Sequence, residues 1–127
     1  MHMNIKWITG EEPINNKTVE WASDLGKYLS DTQDRSNPAM TTSQIRKFFG
    51  EVKRIQSDFG SNIDDIPLLA AKLAYAVGRK RNRKMEEFYN EFSPAIKAIG
   101  NKKENYERFV KLLESTVAFH KYFGGKD

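Results

Sequence analysis

The chain has 127 residues, no cysteine, two histidines and a formal net charge of +4. That length fits one domain around one modest core; the lack of cysteine excludes disulfides and thiolate chemistry, and two histidines fall short of an ordinary zinc site. No apolar run approaches the roughly 18 residues that span a bilayer and no signal-peptide pattern opens the chain, so a cytoplasmic protein without membrane attachment is expected.

The first 15 residues form an N-terminal arm with little periodicity, expected to be less ordered, though Ile5, Trp7 and Ile8 are available to anchor it. The first helix is expected from Asn16 to Asp31, with Trp21, Ala22, Leu25, Tyr28 and Leu29 as its apolar stripe. The turn formers of SDTQDRSNP end it at Pro38.

The second helix, starting at Thr41, is the one the chain is organised around. Thr41 and Gln44 have capping-box spacing, each side chain within reach of the other's backbone N–H. Ile45, Phe48, Phe49, Val52 and Ile55 share one stripe at about 100° per residue, and Arg46, Lys47, Lys53 and Arg54 fall on the other side. Gly50 lies among those cations. It has two readings: a gap that lets a phosphate backbone approach, or a tolerated surface glycine. The helix is expected to end near Phe59-Gly60, with glycine supplying the positive φ of a C-cap.

A third helix is expected from Asp64 or Asp65, with Pro67 in its first turn. Ile66, Leu69, Ala70, Leu73 and Val77 share one face widened by alanines, which predicts the most buried element. Lys72, Tyr75 and Arg79 fall opposite that face, one turn apart, in a pattern able to grip a phosphate and stack on a base or sugar. The competing reading is a tyrosine packed on a neighbouring helix with its hydroxyl at the surface. The helix runs into GRKRNRK at 78–84, which makes Lys80, Arg81 and Arg83 secondary nucleic-acid candidates with Lys72 and Tyr75. Such a run also reads as a solvated helix end complementing the negative dipole.

The fourth helix carries Met85, Phe88, Tyr89, Phe92, Ile96 and Ile99 at helical spacing, with Pro94 on the solvent side predicting a kink rather than a stop. The last helix is expected from Lys103 to Phe123. Tyr106, Phe109, Val110, Leu113 and Val117 form one strip and Leu112, Phe119 and Phe123 a second, which places it at the centre or at a subunit interface. His120 on the apolar edge reads as a core histidine bonded to a carbonyl, and Gly124-Gly125 ends the fold. Together these make an all-α bundle of about five helices, a single helical domain over residues 1–127.

Charge is concentrated in the middle. Residues 41–84 carry ten basic and four acidic side chains, an excess of +6, against four and six in residues 1–40 and seven of each in 85–127. One surface facing an anionic polymer would produce this pattern, and so would a solvated basic face. Catalytic apparatus is not evident: there is no phosphate loop, no HExxH and no serine elbow. The pairs Glu11-Glu12, Asp64-Asp65 and Glu86-Glu87 diverge on their elements and none adjoins a candidate histidine. No catalytic residue, metal ligand set or cofactor is expected.

TTSQIRKFF at 41–49, LAYAVGR at 73–79 and AFHKYFGGKD at 118–127 resemble, in order and spacing, the small subunit of the type III-A CRISPR effector, the Csm complex. Residues 1–40 match loosely, and Pro94 and the basic 79–84 segment depart from the pattern. The resemblance implies an all-helical, non-catalytic ribonucleoprotein subunit of antiviral defence. Several copies would stack, as a filament or through dimers, along the guide RNA–target RNA duplex, beside other Csm subunits. Carried onto matching positions, the implied RNA contacts are Ser43, Arg46, Lys47, Lys53, Arg54 and Arg79. The alternative is a helical interaction module whose basic face binds an acidic protein. A hydrolase lacks visible residues, and a free-standing DNA-binding protein lacks helix-turn-helix geometry.

Overall fold

A computed structural model describes residues 2–124. The described residues are all-helical, in chain order α1 (Lys6–Thr9), α2 (Asn16–Ser30), α3 (Thr42–Ser57), α4 (Phe59–Asn62), a 3-10 turn (Ile63–Asp65), α5 (Leu68–Arg79), α6 (Arg83–Ile99) and α7 (Lys103–Tyr122). The count exceeds the five expected because two short helices, α1 and α4, join the five long ones. The last three residues of the 118–127 block lie outside the described residues.

α7 is the central rod. Its widest contact is with α2, and it also touches α1, α3 and α6. Two apolar strips on one helix require partners on two sides, which explains this position. Phe92 of α6 is the node of the core, with ring centroids 5.8 Å from Trp21, 4.8 Å from Phe88 and 6.0 Å from Phe109. Such tilted and edge-on aromatic pairs each add about 0.5–1.5 kcal/mol beyond the area they bury. α1 is drawn in by Trp7 and Ile8, both buried, and by Arg108, whose Nε donates to the Ile8 carbonyl at 2.8 Å. Buried Glu91 accepts from Trp21 Nε1 at 2.7 Å and from the Met3 amide at 2.9 Å.

The Thr41–Gln44 capping box is present at the start of α3. The other end differs from expectation. α3 stops at Ser57 with Asp58 as its C-cap at φ −147°, and Gly60 is not among the glycines of positive φ but sits inside α4. Asp58 makes the break without glycine, its carbonyl accepting from Asn62 Nδ2 at 2.8 Å. α6 runs unbroken through Pro94. Pro94 and Asn90, whose carbonyl loses its helical donor, are both exposed, so that carbonyl is open to solvent and not stranded in the core.

α5 corrects the expectation of a most buried element. It buries only Leu69 and Leu73, while Leu68 is 53% and Tyr75 69% exposed. An apolar helix is buried only if neighbours reach both flanks; α6 and α3 cover one side, and nothing among the described residues covers the other.

His120 is buried, and its Nε2 lies 2.6 Å from the Met40 carbonyl, which fixes the proton on Nε2. Burial pushes this imidazole below its ordinary value of 6.5, more than the Met40 bond raises it. The unfolded chain therefore takes up a proton that the fold refuses, so stability is complete above about pH 6.5 and falls below it. We expect His120→Gln, which keeps a donor without titrating, to remove up to about 1.4 kcal/mol per pH unit from the wild-type slope as the pH falls below 6.5. Parallel urea midpoints for the two proteins across that range would contradict this.

Candidate nucleic-acid interface

α3 is two-sided. Ile45, Val52 and Ile55 are 0% exposed and Phe48 7%. Phe48 meets Phe88 of α6 edge-on at 5.7 Å, and the Val52 carbonyl accepts from Tyr106 Oη of α7 at 2.8 Å. With that face anchored, Ser43, Arg46, Lys47, Gly50, Lys53 and Arg54 are held in solvent.

The exposed cations are not equivalent. Among the described residues Arg46, Lys47 and Lys53 make no ion pair, and Lys53 Nζ stands 6.0 Å from the Phe49 ring. Arg54 is engaged: its Nη2 is 3.3 Å from Glu51 and 3.1 Å from Asp65, and its Nη1 donates to Asn62 Oδ1 at 3.3 Å. Asp65 first and Glu51 second hold its guanidinium yet further from deprotonation. Lys72 Nζ donates to the same Glu51 at 2.6 Å, and that bond chiefly holds the Glu51 carboxyl below its ordinary range. Arg54 and Lys72 thus brace the corner between α3, the 3-10 turn and α5.

Two depressions flank α3. One is an open cleft of about 690 Å³ lined by Lys80, Arg81 and Arg83 with Ser36, Asn37, Thr41 and Gln44. The other is an apolar groove of about 470 Å³ between α3 and α5, floored by Phe48, Leu73 and Met85 and edged by Lys47, Lys72, Tyr75 and Arg79. Tyr75 is 69% exposed, which speaks against the packed reading.

The model of the Csm2 type III-A family matches residues 12–126. The chain belongs to that family. This Csm2-family chain is also 30% identical over 104 residues to the CRISPR system protein Csm2 of Streptococcus thermophilus, covering 78% of this chain and 85% of the relative. No solved structure matches. Family membership makes the chain a structural subunit of the type III-A CRISPR Csm complex, associated with other Csm subunits. No helix among the described residues is long and apolar enough to cross a membrane, and no group of three metal-ligating side chains converges there.

Within this Csm2-family chain, the run after Gly78 also departs from its reading as a solvated helix C-terminus. Only Arg79 closes α5; Arg83 and Lys84 open α6, where cations add to the positive pole instead of cancelling it. Lys84 is buried, its Nζ donating to the Asp31 carbonyl and lying 5.6 Å from the Tyr28 ring. Helical spacing could not show this, because the partner carbonyl is 53 residues away. Glu51 is the residue that sequence reasoning missed; its three-residue spacing to Arg54 was the available signal.

Gly50 faces open space, and a methyl added there would meet nothing within 4 Å. Gly50→Ala is therefore expected to stabilise the free chain by up to about 1 kcal/mol, the helix-propensity difference. A lower melting temperature would mean that the glycine serves the fold itself.

Proposed function

We propose that this Csm subunit binds the sugar-phosphate backbone of RNA through the outer face of α3. In the assembled complex, several copies stack along the guide RNA–target RNA duplex. The carrying observation is the trio Arg46, Lys47 and Lys53, exposed and without an ion pair among the described residues, on a helix whose opposite face is locked into the core. Three cations that hold no carboxylate of the described residues lose none of those partners when a phosphate arrives.

Ser43, at the start of the same face, adds a hydroxyl donor. Arg79, Lys80, Arg81 and Arg83 extend the positive field past the N-terminus of α6. Arg54 contributes through that field and through the bracing it gives the helix, and Lys72 likewise. No base-reading device accompanies these groups, which suits a subunit that must accept any guide sequence. One chain offers few phosphate contacts, so affinity would come from repetition along the duplex.

Ultraviolet crosslinking of the guide- and target-loaded complex, read by mass spectrometry, tests this. RNA adducts on peptides spanning Thr42–Ser57 are expected. Adducts confined to other subunits would remove this chain from the RNA surface.

A further inference from the structure

The groove between α3 and α5 is not explained by RNA binding. Its floor is built from Phe48 and Leu73, and its outer wall exposes Leu68 and Tyr75 at 53% and 69%. A polyanionic backbone cannot fill such a floor, since burying phosphates against apolar side chains is strongly unfavourable. Yet contiguous exposed apolar surface rimmed by polar groups marks a protein contact. Its rim is cationic: Lys47 and Arg79 have no ion pair among the described residues, whereas Glu51, the one acid on the rim, is held by Lys72 and Arg54.

We propose that this groove seats an acidic amphipathic helix from another protein subunit of the complex. Helix-in-groove recognition needs two helical walls, an apolar floor and complementary edge charge, all present here. α5 has 12 residues, so its wall is about 18 Å long and matches a guest of roughly three turns. The guest would lay apolar residues at i, i+3 and i+7 on Phe48, Leu68, Leu73 and Tyr75, with carboxylates toward Lys47 and Arg79. A symmetric pair of copies is disfavoured, because a self-complementary contact would set one cationic rim against another. Lys47 and Arg79 belong to both readings, so the test substitutes only the apolar wall and adds no charge beside them.

The test is co-expression with the other complex subunits and guide RNA. Leu68→Gln with Tyr75→Gln should leave the free chain's helical signal and melting temperature unchanged, both sites being exposed, and lower its incorporation into the complex by about tenfold or more. A benzophenone photo-crosslinker in place of Tyr75 should join the chain to an acidic helical segment of another subunit. Incorporation equal to wild type would overturn the proposal. So would adducts from position 75 found only on RNA, only on a second copy, or not at all. Should the double variant fold poorly, the crosslink alone decides.

Discussion

Gly26→Ala is expected to lower the stability of the fold by about 2 kcal/mol, although alanine is the better helix former by roughly 1 kcal/mol. A methyl at Gly26 would sit 2.7 Å from the His120 amide nitrogen, 2.7 Å from Phe119 Cβ and 2.9 Å from the Phe119 carbonyl carbon. Two of those atoms are backbone of the central helix and cannot swing aside. α2 and α7 would have to separate along their shared face. The melting temperature should fall by about 8 °C, on roughly 4 °C per kcal/mol for a domain of this size. The same change at Gly50 should act with the opposite sign, because no neighbour stands there. Equal melting temperatures for Gly26→Ala and the parent would show that the two helices do not cross this closely.

The second large effect concerns RNA. Reversing Arg46, Lys47 and Lys53 to glutamate together is expected to change stability by no more than about 0.5 kcal/mol, since all three are exposed and make no ion pair among the described residues. RNA binding by the assembled complex should fall by at least about tenfold at physiological salt. Arg54 is left in place for a structural reason. Arg54→Glu would set a third carboxylate against Glu51 and Asp65, now 3.3 and 3.1 Å from the guanidinium, and loosen the corner that holds α5. A loss of RNA binding in that variant would mix charge with folding. Triple-reversed complexes that bind and cleave target RNA like wild type would count decisively against the proposed interface.

Where a residue's role is set within its own helix, the sequence carried it. Thr41 and Gln44 announce the start of α3 because both partners of the cap lie within one turn. Ile45, Val52 and Ile55 announce the buried face for the same reason, and the doubled strips of α7 narrow it to a central rod or a subunit interface. The surprises in packing involve partners distant in sequence. The weight of Gly26 lies in Phe119 and His120, and Lys84 is buried by a carbonyl of the α2–α3 connection. α5 looked like core because composition reports how apolar a helix is, not whether another helix arrives to cover it. The cations of α3 were legible as a set, but their division into free and engaged members was not. That division depends on Asp65 and Lys72, brought alongside by the turn at Asp58.

The central claim is that cations on one helix face meet phosphates. Its most direct test is the salt dependence of target-RNA binding by the complex, with and without Arg46→Ala and Lys53→Ala. If each side chain neutralises one phosphate of a single strand, the plot of log affinity against log salt should become shallower by about 1.4 for every copy in the complex. An unchanged slope, even with weakened binding, would show that these two side chains do not touch the backbone.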